Sequence, residues 1–485
     1  MNRRSMVSMG ALSVVIGASL LSGCSSSSTT TAPGSIALGA PSSVPEAVFA
    51  VSTPGVPGTP AKYDQVGVRR FGSPDASHVL VLVPGTNGGA GDFDLVAPYL
   101  ATHVPDLQVW SEMRREGVLQ DDSVIQSALA GKATYQQAFN FYLGWISNPA
   151  IRDHYQPLKA VDFQFVAQWG MAVAMNDLRA VIAKAGEGGR RTVTLGGHSL
   201  GGTEAAAYAA WDFNGQAGYK SINGIVCIDG CAGAASSSSA AVTLVAAQQA
   251  VGALSTNGPW LDLLHVGLPW ATGAFSQVGG LAALKAPNAP ATTFENFPLL
   301  PAGFKPSVPV TNAAQLGYAF DASTSPPQLA LIHVHSGHVA STGDPAGWVN
   351  EGLTPIQNVA DVFAQAPLAA TEWYYPERLS IDAAVSSSLQ QTPVAAYLGL
   401  RLFHTSQVDV PLYAFQTSLG GAGNAVADAA NSYKQQSKIP SATVVSRIDT
   451  YSHLDPLLAT PDDNAFLQTV VPWLKKTNSQ SGAGN

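Results

Sequence analysis

A mainly parallel β-sheet covered by helices on both faces is the architecture this sequence predicts, and three observations predict it. His78-Val-Leu-Val-Leu-Val-Pro84 and Asn223-Gly-Ile-Val-Cys-Ile-Asp229 are nearly continuous apolar runs of β-forming residues, the signature of strands buried on both faces. Between them the pattern turns helical, most clearly over residues 167–185, where Trp169, Val173, Met175, Leu178 and Ile182 recur at intervals of two to four. The third is Thr192-Val-Thr-Leu-Gly-Gly-His-Ser-Leu-Gly-Gly202, which carries strand character into a glycine-rich turn and then into the helical Thr203-Glu-Ala-Ala-Ala-Tyr-Ala-Ala. Strands that alternate with helices imply parallel pairing with crossover helices on both faces.

The N-terminus comes first in chain order. Met1-Asn-Arg-Arg is basic, residues 6–21 are apolar, and Leu21-Ser-Gly-Cys24 follows. The apolar segment is short for a membrane span and ends in small residues, as a secretory signal does. It resembles a bacterial lipoprotein signal (residues 1–23), which implies that Cys24 becomes a lipidated first residue of an exported, membrane-anchored protein. Residues 24–61 read as a Ser/Thr/Pro-rich tether running into the domain edge. With 485 residues, 46% hydrophobic and only 12% charged, the chain is long enough for a large core with an insertion. A net charge of −8 and the lack of any long basic run argue against a nucleic-acid partner; Met113-Arg-Arg-Glu116 is short and carries its own acid.

From Lys62 to Phe71 the alternation predicts an early, partly solvent-facing strand. His78–Pro84 is the first buried strand, with Gly85-Thr-Asn-Gly-Gly89 at its C-terminal end, and residues 107–111 predict another. Residues 126–184 read as helical. After the strand at Asn223–Asp229, Pro411–Phe415 and Ala442–Ser446 predict late strands and residues 466–475 a closing helix. The core is therefore expected over residues 62–232 and 408–476, with a disordered tail at 477–485. Residues 233–407 lack the strand–helix rhythm and are too many for a loop, so they predict an inserted, mainly helical cap. Cys227 and Cys231 bracket Asp229; an exported protein allows them to pair, and two buried thiols fit the sequence equally well.

Gly197-His-Ser-Leu-Gly201 places a serine between glycines on a strand-to-helix turn, where a nucleophile's hydroxyl can project. In a chain this rich in glycine and serine the bare pattern arises by chance roughly 0.4 times, so its neighbours must decide its meaning. They are Gly85-Thr86 after an early strand and His453, in Asp449-Thr-Tyr-Ser-His-Leu-Asp455, just beyond the last strand. On those three features the sequence resembles an α/β-hydrolase of the serine esterase and lipase type, over roughly residues 63–476.

The resemblance implies an α/β-hydrolase fold with Ser199 as nucleophile, His453 as base, and a carboxylate between them in chain order. The loop where that acid usually stands, Gln416-Thr-Ser-Leu-Gly-Gly-Ala-Gly423, has none. Asp229, at the tip of the strand after the nucleophile, is the preferred candidate; Asp428 and Asp409 are the alternatives, and Asp455 lies too near His453 along the chain. The backbone amides of Leu200 and Thr86, with Asn87 second, would bind the oxyanion. His333-Val-His-Ser-Gly-His338 resembles a metal cluster but lacks an acidic partner and a second set of ligands, so a cap wall or substrate contact is the preferred reading. The aromatic run Glu372–Leu379, with Trp260, Trp270 and Trp348, fits either an acyl pocket or ordinary packing. The expected function is hydrolysis of a small-molecule or lipid carboxylic ester, with no cofactor and no metal; a peptidase, an acyltransferase or a non-catalytic binding protein are the alternatives.

Overall fold

The computed structural model describes residues 44–233, 242–300, 302–420 and 423–481. The signal segment, Cys24 and residues 482–485 of the tail lie outside them.

Eight strands form the central sheet: β1 (Glu46–Ser52), β2 (Gln65–Phe71), β3 (His78–Val83), β4 (Leu107–Met113), β5 (Thr192–His198), β6 (Gly224–Ile228), β7 (Leu412–Gln416) and β8 (Ala442–Ser446). In space their order is β1-β2-β4-β3-β5-β6-β7-β8. β1 and β2 run antiparallel to their neighbours and the remaining strands are parallel, the mainly parallel sheet the apolar runs predict. Register explains the fully apolar strands. Val81 pairs with Leu195, Leu195 with Ile225, and Ile225 with Leu412, forming a row across the sheet with no exposed surface. Each such side chain is worth about 1.5–3 kcal/mol when buried.

Two expectations need correction. The tether reading of residues 24–61 fails over Glu46–Ser52, which is edge strand β1, paired to β2 along its whole length. Its alternating exposure hid it in a Pro- and Ser-rich context, because an edge strand needs only one apolar face. The closing helix spans Ala465–Ser481 and so takes in most of the expected tail.

The insertion between β6 and β7 is mainly helical, with one two-stranded hairpin, Gly337–Gly343 against Ala346–Asn350. It is not a detachable lid. Its helix Ile356–Phe363 shares a core with Leu80 and Leu82 of β3, while Leu379 and Val385 of the helix Glu377–Ser386 pack in the core on the opposite face with Val79 and Leu195. The segment around Ala369–Glu372 lies directly on the loop after β3: Gly89 donates to the Ala370 carbonyl at 2.9 Å and Glu372 to that of Asn87 at 2.8 Å.

Candidate active site

Parallel register brings the C-terminal ends of β3, β5, β6 and β7 to one edge, where ligands of open α/β sheets bind. Val83 pairs with Gly197, His198 with Ile228, and Ile228 with Phe415. The loops after these strands therefore begin beside one another at Gly85, Ser199, Asp229 and Thr417.

Ser199 ends β5 and caps the helix Leu200–Ala210 with φ 55° and ψ −121°. For a non-glycine residue that conformation costs on the order of 1–3 kcal/mol and persists only where the surroundings enforce it. They do so here. The Ser199 amide continues the ladder to the Ile228 carbonyl at 2.8 Å. A Cβ on Gly197 would stand 2.2 Å from the Gly201 carbonyl carbon, and one on Gly201 would stand 2.0 Å from the Val83 carbonyl oxygen. The turn is thus too tight for any residue but glycine at both positions, and the serine between them stays partly open to solvent.

Asp229 and His453 meet as the chain order implies, with Asp229 Oδ2 2.5 Å from His453 Nδ1 and both side chains almost wholly buried. Thr417, the first residue after β7, donates its amide to Asp229 Oδ1 at 2.7 Å and its hydroxyl to Oδ2. Burial pushes the Asp229 carboxyl up, but the hydrogen bonds from His453 and Thr417 and the attraction of the imidazole outweigh it, leaving the group below the ordinary carboxylate range. An ionised Asp229 accepts only, so Nδ1 of His453 carries a proton and Nε2 is left as the basic nitrogen.

His198 is a residue of this cluster that the sequence reading passed over. Its Nε2 lies 2.9 Å from the His453 carbonyl oxygen and its ring lies against the His453 ring, centroids 4.3 Å apart. The carbonyl can only accept, so His198 Nε2 donates. Burial, then the neighbouring imidazole, push His198 down to about 3, which keeps it neutral. The residue before Ser199 therefore ties the loop bearing His453 to the elbow. Its place inside the motif was the available signal.

The Leu200 amide is the first in its helix and has no intrahelical acceptor. Among the described residues neither it nor the Thr86 amide donates to a protein acceptor. The Thr86 N–H belongs to the same planar peptide as the Gly85 carbonyl. That carbonyl accepts from the Gly88 amide at 3.2 Å and from Arg114 Nη1 at 3.2 Å, while Arg114 Nη2 reaches the Pro84 carbonyl at 2.5 Å. A Cβ on Gly85 would come within 3.0 Å of Ser199 Cβ, a measure of how closely this loop approaches the elbow serine. Asn87, at φ 55°, is turned toward the cap and bonds Glu372 through its side-chain amide and its carbonyl.

Arg114, noted in the sequence only as part of a short basic pair, is the buried hub beneath this loop. It pairs with Glu204 of the helix that follows Ser199 at 3.1 Å and with Glu372 at 3.7 Å. Glu112 and Glu116 are buried nearby; burial, only partly offset by Arg114, pushes Glu112 up to about 8 and Glu116 to about 7.

The other candidate acids stand elsewhere. Asp409 pairs with Lys220 at the surface, and Asp428 lies in the first turn of the helix Ala425–Gln436. Asp455 binds His335 Nδ1 at 2.7 Å and the amide of Ser452, so it braces the loop carrying His453. The three cap histidines have three separate partners: His333 the Pro326 carbonyl, His335 Asp455, and His338 Glu351. Among the described residues no group of three His, Cys, Asp or Glu is placed to hold a metal. Trp373 and Tyr374 are core, packed with Tyr142, Tyr155, Trp260 and Trp270, and Trp348 covers Gly317. A disulfide joins Cys227 and Cys231 on either side of Asp229.

No family model matches the chain, and no curated protein matches it. It is similar to several solved structures at low identity. A protein of Sulfolobus solfataricus described as a lipase is 14% identical over 89% of this chain and 94% of its own, with a TM-score of 0.45. A haloalkane dehalogenase variant from Bradyrhizobium elkanii is 13% identical over 91% and 100%, at 0.41, and a monoacylglycerol lipase of Paleococcus ferrophilus is 12% identical over 85% and 99%, at 0.39.

Proposed function

We propose that this protein is an exported serine hydrolase, anchored to a membrane by lipid on Cys24, that cleaves carboxylic esters through an acyl-enzyme on Ser199. The observation that carries the reading is the buried Asp229–His453 pair, tied through His198 to the strained elbow serine. Asp229 fixes the His453 tautomer that leaves Nε2 free to take the Ser199 proton as the hydroxyl attacks the ester carbonyl. The Leu200 and Thr86 amides receive the oxyanion, and His453 passes its proton to the departing alcohol. Water, deprotonated by His453 in turn, releases the acid.

A fluorophosphonate probe should label Ser199 in the wild-type protein and leave Ser199→Ala unlabelled, with p-nitrophenyl ester turnover lost in parallel. Absence of labelling and turnover in the wild type would sink the enzymatic reading. Mass spectrometry of the detergent-extracted protein tests the anchor: a diacylglycerol on Cys24 is expected, and Cys24→Ala should move the protein to the soluble fraction.

A further inference from the structure

The cap contains a mostly apolar cavity of about 80 Å³, partly open to solvent. Two of its walls are facing stripes of two helices, Ala271–Lys285 and Asn312–Phe320, and Phe294, Phe304 and Ile332 are among the residues that close the rest. The second helix contributes Asn312, Gln315, Leu316 and Ala319, the spacing that puts side chains on one face. The helices run antiparallel, since Gly279 lies against Leu316 while Asn312 Nδ2 reaches the Ala286 carbonyl.

One end of this cavity adjoins the catalytic loops. There the first helix begins against the cap segment that bridges to the loop after β3: Thr371 Oγ1 donates to the Gly273 carbonyl and Thr371 itself pairs with Gly88. At the same end Phe320 accepts from the Val334 amide, and His333 accepts from Leu454, the residue after His453, at 3.0 Å. Asn312 marks the far end, about 12 Å away at 1.5 Å per helical residue.

Asn312 and Gln315 differ from the rest of the lining. Gln315 Nε2 donates to the Phe304 carbonyl at 2.7 Å and Asn312 Nδ2 to the Ala286 carbonyl at 2.9 Å. Both partners can only accept, so both amides are oriented with the side-chain oxygen turned away from them. Those oxygens are buried and have no partner among the described residues. A buried acceptor without a donor is costly, and a ligand that brings one recovers the difference.

We infer that this cavity is the substrate's chain-binding site, and that it takes an apolar chain carrying a hydrogen-bond donor, a hydroxyl or an amide N–H, near its distal end. The inference rests on the ester-hydrolase reading for the reaction but not for the binding preference. The test is therefore a binding titration with Ser199→Ala protein, using methyl decanoate and its ω-hydroxy counterpart. The hydroxylated ester should bind about ten-fold tighter. Gln315→Met should shrink that preference, and Gln315→Met with Asn312→Leu should erase it. Both variants should still bind methyl decanoate itself, which shows that they fold and keep the apolar part of the site. Equal binding of the two esters, binding of neither, or an undiminished preference in Gln315→Met and in the double variant would overturn the inference. A hydroxyl preference in a protein that no phosphonate labels would uphold the site and overturn the hydrolase reading instead.

Discussion

Asp229 follows β6 and Arg114 follows β4, on opposite sides of β5 in the sheet order; the carboxyls at both places are buried, yet Asp229 is held below the ordinary carboxylate range and those around Arg114 above it. Around Asp229 three donors converge on one carboxylate, from His453 and from the amide and hydroxyl of Thr417, so the charged form is favoured despite desolvation. Around Arg114 one guanidinium serves Glu204 and Glu372 directly and is the main charge opposing desolvation of Glu112 and Glu116. Neither Glu372 oxygen has a hydrogen-bond partner among the described residues. Burial alone does not set the charge of a carboxylate. The ratio of donors to acids does. The first arrangement keeps a carboxylate ionised against an imidazole; the second packs the guanidinium beneath the loop after β3 among carboxyls that burial pushes above the ordinary carboxylate range.

Four measurements would break or sharpen that contrast. Asp229→Asn should lower kcat by about 10⁴ with little change in KM, because an amide favours the wrong His453 tautomer; near-wild-type turnover would remove Asp229 from the machinery. Arg114→Met should lower kcat by about 10²–10³ through the Gly85–Thr86 peptide, the cost of a misplaced oxyanion donor. An equal rise in KM instead would mean that Arg114 shapes substrate binding. His198→Leu leaves the His453 carbonyl without its donor and should cost about 1–3 kcal/mol in chemical denaturation, whereas His198→Gln, which can still donate, should recover part of it.

The smallest effect concerns pH. Glu112 is raised in the folded protein from 4.5 to about 8, so between those values the native state holds a proton that the unfolded state has released. Its contribution to stability is full below that window and is lost as pH rises through it. Thermal melts between pH 6 and 9 should show a decline that Glu112→Gln makes shallower; an identical slope would show that Glu112 does not titrate there.

The strands that carry the site were legible because parallel strands buried on both faces must be apolar throughout, as His78–Val83 and Gly224–Ile228 are. β1 was not, because an edge strand buries one side and its alternation was lost among prolines and serines. The Ser199 elbow could be read because its geometry excludes Cβ atoms at Gly197 and Gly201, and glycine is visible in any sequence. Thr417 and Arg114 could not, since a threonine after a strand and an arginine in a short basic pair acquire meaning only from what packs against them.

By itself, then, the sequence determined the layered architecture, the serine at its turn, the histidine after the last strand and a short set of acids, all of which depend on local pattern and chain order. The tertiary structure decided which acid faces His453. Asp229, Asp409, Asp428 and Asp455 are alike in a sequence, but parallel register sets the tip of β6 beside the end of β7, where Thr417 meets Asp229. It also decided that Arg114 lies beneath the loop after β3 and that the apolar cavity lies between two cap helices. Each is a contact between residues far apart in the chain, fixed by packing that no local pattern encodes.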